Sequence, residues 1–197
     1  MSARLNLIAS LVFAASLAGC EAPEPEAPPP LYDSAVVGGF ELVNADGVSV
    51  SDADFSGKYQ MVYFGYAYCP DVCPFDVARM IQGYEKFVRE NPEFANEIQP
   101  IFITVDPERD TQEVVGEFTA NFSDDLIGLT GTPEAIEAAA ANYFAYYSKM
   151  EPNAEGGYLM DHSRSAYLVD REGQPMALLP VETSGDAVAA ELEKWVR

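Results

Sequence analysis

Met61-Val62-Tyr63-Phe64-Gly65-Tyr66 is an unbroken apolar run, and it leads directly into Cys69-Pro70-Asp71-Val72-Cys73-Pro74. A run without polar alternation reads as a strand buried on both faces. Two thiols are thereby placed at the mouth of an inner strand, where soft donors suggest a metal or redox site. The sequence holds a single histidine, His162, in Met160-Asp161-His162-Ser163.

The amino terminus indicates where such a site works. Arg4 precedes an apolar stretch at residues 5–18, which ends in Leu17-Ala18-Gly19-Cys20, the layout of a secretory signal. Leu-Ala-Gly-Cys resembles the lipobox of bacterial lipoproteins, which implies removal of residues 1–19 and acylation of Cys20. An uncleaved anchor helix is the alternative, and the stretch is shorter than the ~20 residues a span needs. Either way the domain is exported to an oxidising compartment and tethered. The expected location is a bacterial cell membrane, lipid-anchored and facing the periplasm. Residues 21–30 alternate proline with acid and hold nothing apolar larger than alanine. They predict a stiff spacer of about 30 Å at ~3.1 Å per residue, within a tether taken as 20–37. Residues 38–197 then form one domain of ordinary size. A net charge of −21 with only 11 lysines and arginines argues against nucleic acid as a partner. The acid serves solubility, complements a basic partner, or concentrates cations.

Strand and helix signals alternate through the domain. Residues 40–43 and 48–50 flank Asn44-Ala45-Asp46-Gly47, a hairpin signal, and 60–66 is the buried strand. Val77, Met80, Ile81, Tyr84, Phe87 and Val88 give 74–88 the spacing of an amphipathic helix. Residues 101–105 read as a second buried strand. Asp110 with Glu113 resembles a capping box, opening a helix with Val114, Val115 and Phe118 inward. Thr132-Pro133 is a cap followed by a first-turn proline, and Ile136, Ala139, Ala140, Tyr143 and Phe144 line one face. Residues 166–169 and 176–179 flank the turn Asp170-Arg171-Glu172-Gly173. Ser184 caps a last helix buried through Val188, Leu192 and Trp195. The expected architecture is α/β, a thioredoxin-like three-layer fold with an N-terminal β-hairpin and a C-terminal β-hairpin plus helix.

Ligands of open α/β sheets sit outside the carboxyl ends of parallel strands. The Cys69 loop and Asp106-Pro107-Glu108-Arg109-Asp110 both follow such strands. If 166–169 runs antiparallel to its neighbour, the polar loop carrying His162 joins them. The cysteine spacing admits three readings. A structural disulfide closes so short a loop that it stabilises little. A thiol-disulfide exchange site is the second, although the familiar spacing has one residue fewer. A metal site is the third, since the extra residue widens the bite. The helix start puts Cys73 where thiolate is favoured, and Asp71 opposes it by like-charge repulsion. Zinc wants a fourth ligand, from Asp71 or Asp106, whereas copper(I) accepts two thiolates and one imidazole. Asp106 and Asp110 also fit as turn and cap residues, and His162 as a hydrogen-bonded imidazole without a ligand role.

Tyr63-Phe64-Gly65-Tyr66 with Cys69-Pro70-Asp71-Val72-Cys73-Pro74, then Thr104-Val105-Asp106-Pro107-Glu108-Arg109-Asp110-Thr111, then Asp161-His162-Ser163 before Tyr167-Leu168-Val169-Asp170 resemble the Sco (SenC) family. The resemblance covers residues 36–197. It implies a thioredoxin fold, membrane tethering, and copper, Cu(I) and also Cu(II), held by Cys69, Cys73 and His162. Asp71, Asp106 and Asp161 are candidates for the surrounding hydrogen bonds. It further implies a metallochaperone that loads the dinuclear copper centre of cytochrome c oxidase or keeps its cysteines reduced, with other copper chaperones or a thiol reductant as partners. Oxidation to a Cys69–Cys73 disulfide would abolish the site. The competing classes are an extracytoplasmic thiol-disulfide reductase and a lipoprotein of purely structural role. Many relatives carry threonine or serine two residues before the first cysteine, where this chain has Ala67.

Overall fold

The apolar run becomes β3 (Tyr59–Gly65), and all of its residues are buried. The computed structural model describes residues 27–154 and 156–197; the signal segment 1–19, Cys20 and the first part of the tether lie outside the described residues. β4 (Ile98–Thr104) and β5 (Ile127–Thr130) extend the sheet from β3 in parallel register, Tyr63 opposite Phe102 and Phe102 opposite Gly128. The hairpin of β1 (Glu41–Asn44) and β2 (Ser49–Ser51) closes one edge by pairing antiparallel to β5. A short ribbon, β6 (Tyr147–Lys149) with β7 (Met160–His162), forms a separate two-stranded sheet. β8 (Ala166–Val169) and β9 (Pro175–Leu179) close the other edge, β8 running antiparallel to β3. The main sheet has the order β2-β1-β5-β4-β3-β8-β9.

Alternation along the inner strands assigns the helices to layers. Tyr63 and Phe102 stack and point to one face, where Tyr63 meets Asp76 of α1 (Val72–Glu90) and Phe102 meets Phe118 of α2 (Gln112–Ala120). Phe64 points the other way, onto Tyr143 of α3 (Pro133–Tyr143). α4 (Gly185–Trp195) lies against α1, with Gly83 facing Val188. Thr132 and Ser184 cap α3 and α4 through their side chains, as expected.

Four expectations need correction. The cap of α2 is Thr111, whose hydroxyl accepts the Val114 N–H; the Asp110 side chain is buried and turned toward the cysteine loop instead. Phe144 does not face the core: it ends α3 in the left-handed conformation at φ 53° and is 65% exposed. His162 ends β7 and does not lie in a loop. Part of the proposed tether is packed. Leu31 N–H donates to Met176 O at 3.0 Å, Tyr32 hydroxyl to Asp170 at 2.9 Å, and Val37 N–H to Asn142 O at 3.0 Å. The folded unit therefore begins several residues before 38. No helix of the described residues is long and apolar enough to cross a membrane.

Candidate metal centre

β3 and β8 run in opposite directions, so the end of β3 and the start of β8 lie at one pole. The chain leaves β3 through Tyr66-Ala67-Tyr68-Cys69 and enters α1 at Val72, which makes Cys73 the second residue of that helix. His162 arrives from the other side on β7, opposite Tyr147. The Sγ atoms of Cys69 and Cys73 and a ring nitrogen of His162 all lie within 4.8 Å of one another, the one such grouping of three among the described residues. Cys73 Sγ is 3.2 Å from His162 Nε2. On the other ring edge, Nδ1 is 2.9 Å from Ser163 O. A carbonyl only accepts, so Nδ1 carries a proton, and Nε2 is the ring nitrogen that faces the sulfurs. The rings of Tyr66 and Tyr63 stand edge-on to the imidazole at 5.7 and 6.5 Å.

Both cysteines are free and buried, yet their environments are opposite. Cys69 is held well below the ordinary thiol range by the hydrogen bond from Cys73, then by His162 and by the backbone N–H groups of Cys73 and Asp71. Cys73 is pushed up, because it donates to Cys69 and because burial disfavours its charge. The helix start thus favours thiolate at Cys69, reversing the expectation for Cys73: the N–H of Cys73 points at Cys69 Sγ, 3.4 Å away. Tyr66 is pushed up to about 12 by burial and then by the adjoining Cys69, so it stays protonated beside the thiolate. Two sulfurs and one imidazole in a half-enclosed, aromatic-lined site suit a soft cation.

Comparison with known proteins identifies the lineage. The family model described as SCO1/SenC matches residues 29–197. The chain belongs to the SCO1/SenC family. Protein SenC of Rhodobacter capsulatus is 45% identical over 138 residues, 70% of this chain and 60% of SenC. Arabidopsis thaliana ScoI, solved with copper bound, has a TM-score of 0.74 and 36% identity, covering 81% of this chain and 97% of that one. BsSco, described as a member of the Sco family of cytochrome c oxidase assembly proteins with a disulfide switch, has a TM-score of 0.61 and 27% identity, covering 81% of this chain and 92% of its own. This chain spans about half the length of the curated relatives it matches. The architecture is the thioredoxin-like Sco fold.

In this Sco-family chain the three carboxylates expected around the ligands stand elsewhere. Asp71 is exposed and makes no side-chain cap bond, contributing through its backbone N–H alone. Asp106 is buried but occupied by Arg109 Nε at 2.5 Å and the Tyr158 hydroxyl at 2.8 Å. Asp161 is exposed, one position from His162 and so on the opposite face of β7. The carboxylates that do organise the site are Asp110 and Asp76. Asp110 Oδ2 accepts the Ala67 N–H at 2.7 Å and the Thr104 hydroxyl at 2.6 Å, gripping the cysteine loop through the backbone at Ala67. Asp76 accepts the Tyr63 hydroxyl at 3.2 Å and both prongs of Arg164 at 2.7 and 2.8 Å. A signal for Asp76 existed: it is a carboxylate three residues past Cys73, on the face that also carries Val77 and Met80. A charge at a core position of an amphipathic helix demands a buried partner.

Proposed function

We propose that this Sco-family chain is a membrane-tethered copper metallochaperone that takes copper as cargo on Cys69, Cys73 and His162. It delivers the ion to the dinuclear copper centre of cytochrome c oxidase or maintains that centre's thiols. The single observation that carries the reading is the convergence of two sulfurs and a ring nitrogen of His162 within 4.8 Å. The description of relatives as copper-bound and as oxidase assembly proteins supports the cargo and the partner. The apolar stretch ending in Leu17-Ala18-Gly19-Cys20 and the proline-acid sequence after it support a lipid on Cys20 and a periplasm-facing anchor.

On this reading Cys69 meets the ion as a ready thiolate and Cys73 gives up its proton on binding, so copper affinity weakens as pH falls. Two-electron oxidation by an external disulfide joins Cys69 Sγ to Cys73 Sγ, reduces the oxidant to two thiols and leaves His162 without sulfur partners. Copper occupancy and the disulfide exclude each other. A second reading, a thiol-disulfide reductase, is favoured by the same lowered Cys69 thiol, which is the form that attacks a disulfide. The two separate at His162. Titrating the reduced protein lacking residues 1–20 with copper(I) against a chromophoric chelator should find one tightly held ion. Cys69→Ser/Cys73→Ser should abolish it and His162→Ala should weaken it at least about tenfold. Binding that is weak in wild type and indifferent to His162→Ala, with thiol exchange intact, would move the assignment to the reductase.

A further inference from the structure

We propose that the Asp76–Arg164 ion pair is the positioning device that holds His162 over the two cysteines. It deepens the copper reading by assigning residues outside the donor set to the placement of its nitrogen ligand. The ribbon bearing His162 needs such a device. β6 and β7 pair only with each other, apart from the main sheet, so no ladder of backbone hydrogen bonds fixes His162 relative to β3 or α1. Side chains tie the ribbon down instead, Lys149 to Glu108 on β6 and Tyr158 to Asp106 ahead of β7 among them, and two arginines flank β7 itself. At its entry, Arg109 Nη1 donates to Tyr158 O at 2.9 Å. At its exit, Arg164 donates from Nε and Nη2 to the two oxygens of Asp76 at 2.8 and 2.7 Å.

The second pin is the one tied to both halves of the donor set. Asp76 follows Cys73 by three residues on α1, within one helical turn. Arg164 follows His162 by two. A bidentate fork fixes direction as well as distance, so the His162 segment is registered against the helix that carries Cys73. Asp76 is fully buried while the Arg164 side chain is 41% exposed, so the carboxylate has nowhere else to go and the arginine is drawn to it. Tyr63 completes the link: its hydroxyl bonds Asp76 and its ring stands edge-on to the imidazole. Arg79 stays 3.6 Å from Asp76, so replacing Arg164 does not strand the carboxylate, and the variant is expected to fold.

The test uses the full chain in its reduced form and exploits the lone histidine, whose imidazole signals need no assignment. In metal-free wild type, long-range proton–nitrogen NMR should show one imidazole with the proton on Nδ1. In Arg164→Gln it should show a ring averaging between tautomers, as for a free side chain. Arg164→Lys keeps the charge without the fork and should show the same averaging, so the proposal survives a misfolded glutamine variant. Copper(I) affinity should drop about tenfold in Arg164→Gln, with no additional loss when the substitution is made in His162→Ala, because both act through one ligand. The Cys69/Cys73 reduction potential should not move. An unchanged imidazole in both variants, or full additivity with His162→Ala, would overturn the proposal. Equal copper binding by wild type and His162→Ala would instead sink the ligand assignment, and the imidazole signals would still decide the clamp.

Discussion

Two thiols four positions apart acquire opposite proton affinities because the Cys73 thiol donates to Cys69, and the helix start adds its N–H groups on the Cys69 side. Cys69 lies just outside α1 and receives the N–H of Cys73, while Cys73 lies inside and is its donor. Asp110 shows the same logic in a carboxylate. Burial pushes its proton affinity up, against the Thr104 and Ala67 donors that favour the charge, and Oδ1 is buried without a partner. The native state therefore binds this proton more tightly than the unfolded chain. Stability from this group is greatest in acid and falls as pH rises from the ordinary carboxylate range through the raised native value. Asp110→Asn, which cannot ionise, should flatten that part of the pH dependence in urea unfolding. Asp110→Ala should lose about 2–4 kcal/mol, since two buried donors lose their acceptor. A wild-type stability that rises over the same pH window would contradict the assignment.

α1 and α4 pack closely because glycine allows it. A Cβ at Gly83 would stand 2.5 Å from Val188 Cβ and Cγ1 and 2.8 Å from Gly185 O, so α4 must move to admit it. Alanine gains about 0.5–1 kcal/mol of helix preference against about 1–3 kcal/mol of overpacking. Gly83→Ala should be net destabilising in urea unfolding yet keep copper binding, since the packing site lies three turns beyond Cys73; a variant as stable as wild type would show that α4 yields freely. The elements legible in the sequence are those whose burial is continuous or periodic: β3, β4, α1, α3, α4 and both hairpins. β5 carries no such pattern because Gly128 interrupts its apolar run, and Gly128 is there because Val115 and Thr119 leave a Cβ only 2.5 and 2.9 Å. β6 and β7, Tyr-Ser-Lys and Met-Asp-His, carry no two-fold apolar pattern; pairing across a long loop creates them. The donors could be read from residue type and spacing, whereas the groups that orient them could not. Asp76 meets Arg164 across 88 residues, a distance no local pattern encodes.

The molecule has two poles, set by the direction of β3. Its start, at Tyr59, is near the docked segment around Tyr32 and Asp170, and its end delivers the cysteines about 20 Å away at roughly 3.3 Å per residue. Residue 27 lies beside Tyr32 and Tyr59, far from the donors, so on the proposed reading a membrane tether leaves their pole open to a partner. Large apolar side chains stay in solvent at that pole too. Tyr68 precedes Cys69 and is 54% exposed, Phe75 follows Cys73 at 61%, and Tyr146 and Leu159 flank the His162 ribbon at 57% and 46%. Aromatic side chains left exposed beside a thiolate site suit transient burial against a protein acceptor. They are not needed to hold the ion. On the proposed copper-transfer reading, Phe75→Ser should leave copper affinity unchanged and slow transfer to the copper-centre domain of the oxidase about tenfold, while transfer to a small dithiol chelator proceeds at the wild-type rate. Stopped-flow transfer to the two acceptors side by side separates the cases. Equal slowing to both would mean that Phe75 shapes the donor set itself, and no slowing to either would remove this rim from the docking surface.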